Sequence, residues 1–116
     1  MMSIRGAIDA ANDEASIARA SVQLFEAVMK ANSLEEKDLL LVQFSLTDDL
    51  DECNPCTCLR KAGLCKEASL FCVQEARIKG SRKGIIRLLV LADKTGKPAG
   101  CYLGGASELR KAGDDR

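Results

Sequence analysis

The sequence of 116 residues contains no histidine and no tryptophan, and only 3% of its residues are aromatic. Histidine is the side chain that most often transfers protons near neutral pH, so its absence removes the commonest acid–base catalyst. The shortage of aromatic side chains argues against a surface on which nucleic-acid bases stack. Any chemistry of this chain therefore depends on other side chains.

An excess of one charge is missing as well, because 17 basic residues balance 17 acidic ones. This balance argues against nucleic acid or an anionic membrane as the main partner. The apolar runs are shorter than the roughly 20 residues of a membrane-spanning helix, and no apolar segment follows a basic start as in a signal peptide. We expect a cytoplasmic protein whose six cysteines are reduced thiols.

The chain length predicts a single domain, residues 1–116, and the hydrophobic pattern predicts strands and helices that alternate irregularly within it. The final residues, 104–116, are polar and expected to fray, with about 111–116 as a flexible tail. The fold class is α+β, a mixed sheet with helices on one face, and self-association is the simplest cover for the other face. Strands are expected at 3–8, 39–46, 68–74, 84–92 and 101–103, and helices from Asn12 or Asp13 to Ala31, after Ser33, and from Pro55 to Gly63.

An arginine interrupts the most apolar strand of the chain. Arg87 lies within residues 84–91, whose other members are glycine, isoleucine, leucine and valine. A guanidinium group keeps its proton, so it must face a carboxylate, a developing negative charge or solvent. A second arginine, Arg5, lies in the short N-terminal strand. On the strand pattern alone, Arg87 is either a solvated arginine or part of a site.

The order and spacing of several short motifs carry more information than any one of them. The motifs are Ile-Arg-Gly-Ala at 4–7, Phe-Ser-Leu-Thr-Asp-Asp-Leu at 44–50, Asn-Pro at 54–55 followed by Arg60, Cys-Val-Gln-Glu at 72–75, Ile-Arg at 86–87, and Tyr-Leu at 102–103 followed by Arg110. Together they resemble the monofunctional chorismate mutases of the AroH type, known from the Bacillus enzyme, over about residues 3–110.

The resemblance implies a homotrimer of α+β subunits, arranged as a pseudo-α/β-barrel with active sites in the clefts between subunits. It also implies conversion of chorismate to prephenate, a step toward phenylalanine and tyrosine. This Claisen-type rearrangement is unimolecular and moves no proton, so it requires no histidine, metal or cofactor. The enzyme must hold a dianion in its reactive conformer and stabilise the charge that develops on the ether oxygen.

The same resemblance suggests a role for individual residues. It implies that Arg87 is the cation that faces the ether oxygen and that Arg5 binds a substrate carboxylate. Glu75 is implied to accept a hydrogen bond from the ring hydroxyl, beside Cys72. Tyr102 is implied to reach a substrate carboxylate with its hydroxyl.

Three further residues are implied by the resemblance at the entrance of the site. Arg60 matches a helix arginine at its mouth. Arg110, with Leu109 beside it, matches an arginine on a C-terminal segment that closes over the ligand. That segment is short in this sequence.

The sequence departs from the family pattern around the second helix. Asn54 stands where the pattern has an aromatic residue, and Thr57 stands where it has a lysine, with Cys56 between them. Loss of an apolar wall and of a cation at the rim predicts a raised KM with kcat less affected.

Two other classes of function remain as alternatives. The cysteines at positions 53, 56, 58 and 65 suggest a metal site, although they do not form the two separated pairs that zinc sites commonly use. A non-catalytic trimeric module that binds carboxylates would also use arginines in subunit clefts. The joint presence of Arg87 and Glu75 favours the enzyme.

Overall fold

The computed structural model describes residues 1–111, with side chains through Leu109. The predicted strands agree with it to within one residue at each end. Short 3-10 turns cover Glu36–Asp38 and Gly104–Ala106. The strands and helices, in chain order, are β1 (Met2–Asp9), α1 (Glu14–Ala31), β2 (Leu39–Leu46), α2 (Pro55–Lys61), β3 (Ser69–Gln74), β4 (Ile85–Ala92), β5 (Cys101–Tyr102) and α3 (Ser107–Lys111).

Local capping determines where the two longer helices begin. Of the two predicted caps of α1, Asp13 is the one used, because its carboxylate accepts a hydrogen bond of 2.7 Å from the backbone N–H of Ser16. This bond lowers the pKa of Asp13. In α2, the side chain of Asn54 accepts a bond of 2.8 Å from the backbone N–H of Cys56, and Pro55 is the first helical residue. Both longer helices are confirmed, and the helical turn predicted after Ser33 is the 3-10 turn Glu36–Asp38, which Glu35 caps instead of Ser33.

The sheet is mixed, as the sequence predicts. Its five strands lie in the order β3-β2-β4-β1-β5. The central strand β4 pairs antiparallel with β1 and β2, while the outer pairs β2–β3 and β1–β5 are parallel. The apolar strands β2 and β4 therefore lie inside the sheet, and the shorter β3 and β5 form its edges.

One face of the sheet packs against α1 and α2 and forms the main core. Alternate residues of each strand point to this face, and the inward face of α1 fills the space above them. Its largest fully buried side chains include Ile4, Ile17, Leu24, Phe25, Val28, Val42, Phe44, Leu59, Ile86 and Val90.

On the opposite face of the sheet, which carries Arg87, part of the surface is covered by the C-terminal segment. The segment expected to fray contains α3, and its residues Ala106 and Leu109 are buried against Ala7 and Ile85. Those two strand residues lie on the Arg87 face, since Ala7 pairs opposite Arg87 in the β1–β4 ladder. The expectation of fraying is therefore wrong for residues 104–109, where burial of apolar side chains holds the chain. The predicted flexible tail, apart from Lys111 at the end of α3, lies outside the described residues.

Candidate active site

Arg87 forms an ion pair with Glu75. Its Nε atom lies 3.0 Å from one carboxylate oxygen of Glu75 and 3.2 Å from the other. The two side chains are only 22% and 23% exposed. Arg87 is therefore neither a freely solvated arginine nor an exposed surface pair, and partial burial protects its charge from screening by water.

Ser45 holds the carboxylate of this pair in place. It lies opposite Arg87 in the β2–β4 ladder, and its hydroxyl donates a hydrogen bond of 3.1 Å to Glu75 Oε2. Glu75 follows directly after β3, and its backbone N–H donates to the carbonyl of Leu46 at the end of β2. The Glu75 carboxylate thus reaches across β2 to Arg87, with Ser45 between them.

A cavity of about 170 Å³ opens beside Arg87 on this face of the sheet. It brings together three side chains that the sequence assigned to the site, from β1, β4 and β5 (Arg5, Arg87 and Tyr102). Arg5 and Tyr102 also border a neighbouring cavity of about 250 Å³. Two cations and a phenol around one opening suit a ligand with negative charge.

Sequence reasoning did not assign two of the residues that line this cavity, Gln43 and Ser45. They are the two polar interruptions of the apolar strand β2, and they lie two residues apart, so both face the same side of the sheet. These two polar residues in an otherwise apolar strand are the feature of the sequence that indicates a polar site on this face. Only the register, which places Ser45 opposite Arg87, connects it to the site.

Leu109 contributes to this region by packing, since it belongs to the apolar cluster beside Tyr102. It is 4% exposed, and Tyr102 packs against this small cluster. The ring of Tyr102 is thereby supported from the α3 side. The side chain of the neighbouring predicted residue, Arg110, lies outside the described part of the structure.

The other predicted residues form a second group on α2 and β3. Cys72 belongs to the helix-facing side of the sheet, opposite Phe44, and packs against the main core. A hydrogen bond with Cys72, followed by burial, raises the pKa of Cys56. Thr57 and Arg60, on the same helix, are exposed.

The two groups are separated within one chain. From β1, which carries Arg5, to the edge strand β3 is three strand spacings, or about 14 Å. The groups also lie on opposite faces of the sheet, because Arg5 and Arg87 border the open cavity while Cys72 faces the helices. A single small ligand bound at Arg87 does not reach both groups of one subunit.

Metal binding by the cysteine-rich segment receives no support from the structure. Across residues 1–109, no three cysteine, aspartate or glutamate side chains are arranged to hold a metal ion.

In the same part of the chain, no helix is long and apolar enough to cross a membrane.

Comparison with known proteins identifies the family. The family model for chorismate mutase type I matches residues 1–113. Among solved structures, a chorismate mutase from Clostridium thermocellum superposes with a TM-score of 0.89 at 28% sequence identity, covering 94% of this chain and 100% of that one. No curated protein sequence matches. Since the family model spans nearly the entire sequence, the chain belongs to the chorismate mutase type I family.

Proposed function

We propose that this protein is a chorismate mutase that converts chorismate to prephenate, and that Arg87 is its central catalytic residue. The observation that carries this assignment is the Arg87–Glu75 ion pair at the edge of a cavity shared with Arg5 and Tyr102. Membership of the family gives the reaction, and the geometry suggests how these side chains perform it.

Arg87 has donors left for a substrate. Its guanidinium carries five N–H groups, of which that of Nε is directed to Glu75. Within residues 1–109 the terminal nitrogens have no hydrogen-bonding partner. We assign them to the ether oxygen, where negative charge develops as the C–O bond breaks ahead of C–C bond formation. A donor fixed before the reaction stabilises this charge more than the ground state, and so raises kcat.

Glu75 and the cavity side chains hold the substrate in its reactive conformer. We assign Glu75 to the ring hydroxyl, as acceptor of its hydrogen bond, while it also fixes Arg87. Arg5 and Tyr102 are assigned to the substrate carboxylates, which the planar guanidinium fork can bind through two parallel bonds. Because none of these roles transfers a proton, they are consistent with a chain that lacks histidine.

We also propose a homotrimer in which each active site lies between two subunits. The cavity beside Arg87 has a volume of about 170 Å³, whereas small-molecule pockets usually span roughly 300–1,000 Å³. A neighbouring subunit would complete the site with its α2–β3 group, namely Cys56, Thr57, Arg60 and Cys72. Phe71, which is 58% exposed on the Arg87 face, is a suitable apolar contact for such an interface.

The direct test is loss of chorismate absorbance on addition of the purified protein, with prephenate identified as the product. The non-catalytic carboxylate-binding alternative predicts binding of chorismate without turnover.

We propose the cytoplasm as the site of action, because that is where a soluble small-molecule substrate of biosynthesis is available.

A further inference from the structure

Cys53 and Cys58 form a close thiol pair at the start of α2. Cys53 precedes the capping residue Asn54, and Cys58 is the fourth residue of the helix. These two positions meet in the hydrophobic staple, in which the residue before the cap packs on the fourth helical residue. Here both positions are cysteine, and their Sγ atoms lie 2.7 Å apart. Helix geometry itself therefore brings the two sulfurs together.

The two thiols differ in their access to solvent. Cys58 is 5% exposed, whereas Cys53 is half-buried. Burial, followed by the hydrogen bond with Cys53, raises the pKa of Cys58 to about 12. Because Cys53 is the more accessible thiol, a dissolved reagent reacts with Cys53 first. Cys58 can then react only with the group that is bound to Cys53.

We propose that Cys53 and Cys58 are a redox-active dithiol that closes to a disulfide when it reacts with a small-molecule disulfide such as oxidised glutathione. The Cys53 thiolate attacks one sulfur of the reagent, forming a mixed disulfide and releasing one glutathione thiol. Cys58 then attacks Cys53 Sγ and displaces the second glutathione thiol. In the net reaction, the two electrons and the two protons that the protein dithiol loses are gained by the two glutathione thiols that are released.

The neighbouring cysteines do not compete for this bond. Cys56 lies two residues from Cys58 on the same helix, so the two side chains point to different sides of α2. The thiol of Cys56 instead contacts Cys72 on β3. Cys65 is fully buried, and Cys101 is on β5.

The bridge would close residues 53–58 into a covalent ring that contains Cys56 and Thr57. Such a ring restricts the unfolded chain and fixes the first turn of α2, so oxidation should raise the Tm by roughly 5 °C. This site does not depend on the proposed catalytic activity, and its test uses no substrate. Failure of one proposal thus leaves the other standing.

Trypsin separates the thiols for the test. The peptide 38–60 contains Cys53, Cys56 and Cys58, whereas Cys72 lies in the peptide 67–77. The full-length protein, first reduced, is incubated with oxidised glutathione, alkylated, digested without reductant and analysed by mass spectrometry. We expect peptide 38–60 to lose the mass of two hydrogen atoms and to retain a single alkylated cysteine, Cys56. Alkylation of all three cysteines would overturn the proposal.

Two variants assign the bond. Cys53→Ser, at a half-buried position that tolerates a hydroxyl, should abolish both the mass loss and the rise in Tm. Cys101→Ser, the matched control, should retain both. Persistence of the mass loss in Cys53→Ser, or a cross-link between peptides 38–60 and 67–77 in the wild type, would show that other cysteines react. A bridge that forms without raising the Tm would refute the stabilisation assigned to the ring.

Discussion

Glu75 contacts Arg87 with both of its carboxylate oxygens, at 3.0 and 3.2 Å from the same Nε atom, across the width of strand β2. The ion pair connects the end of the edge strand β3 with the central strand β4. The hydroxyl of Ser45 on β2 donates a hydrogen bond to the Glu75 carboxylate. Of the guanidinium nitrogens of Arg87, Nε is the one that contacts Glu75.

Replacement of Arg87 by alanine should lower kcat at least about a hundredfold, or roughly 2.7 kcal/mol of transition-state stabilisation. The expected loss is in kcat because the charge on the ether oxygen exists only in the transition state. The rate of chorismate consumption measures it. Arg77→Ala is the matched control, since Arg77 is 84% exposed and pairs with Asp48. A residual kcat within tenfold of the wild type would refute the role of Arg87.

Replacement of Ser45 by alanine should lower kcat by about tenfold, because loss of one hydrogen bond to a charged group costs about 1.5 kcal/mol. Ser45 acts through Glu75 as a positioning residue, so Ser45→Thr, which keeps the hydroxyl, should restore most of the rate. Steady-state kinetics of both variants provide the comparison. Equal losses in the two variants would instead indicate a packing defect.

Replacement of Thr57 by lysine should lower the KM for chorismate with little change in kcat. The exposed threonine stands where the family pattern has a cation, and a cation at the rim attracts a dianion before the reaction begins. Thr95→Lys adds the same charge at an exposed position in the turn between β4 and β5, and should leave the KM unchanged. The proposal for the rim fails if the KM of Thr57→Lys does not fall.

Mixing of two impaired variants tests whether the sites are shared between subunits. Arg87→Ala and Arg60→Ala alter the two separate groups of site residues. When equal amounts are unfolded and reassembled together, about a quarter of the sites in a random trimer receive both wild-type side chains. Activity should return to about that fraction, measured at substrate concentrations below the KM. If both groups act within one subunit, no activity returns.

Replacement of Gly6 by alanine should destabilise the protein by about 1–3 kcal/mol. A Cβ atom there would lie 2.8 Å from the backbone carbonyl of Cys101 and 3.1 Å from Leu24 Cδ1. The added Cβ atom would push β1 and β5 apart where Gly6 pairs with Cys101, next to Tyr102. Denaturant unfolding provides the measurement, and Ser3→Ala, at an exposed position of the same strand, is the control.

The sequence alone determined the elements and the family. Apolar runs and alternation predicted the strands to within one residue at each end, and Asn12 or Asp13 and the pair Asn54–Pro55 marked the helix starts, because these signals act between near neighbours in the chain. The order of the short motifs gave the chorismate mutase resemblance, which the family model confirms. These inferences required no knowledge of which strands pair.

The tertiary structure decided which residues meet. Only the strand order and register place Ser45 between Arg87 and Glu75, and assign Cys72 to the face opposite from Arg5. A polar segment expected to fray is instead held by Ala106 and Leu109, since two apolar residues suffice when a complementary sheet surface lies beside them. Contacts between residues far apart in the chain depend on how the strands pair and how the faces pack, and local patterns do not encode this.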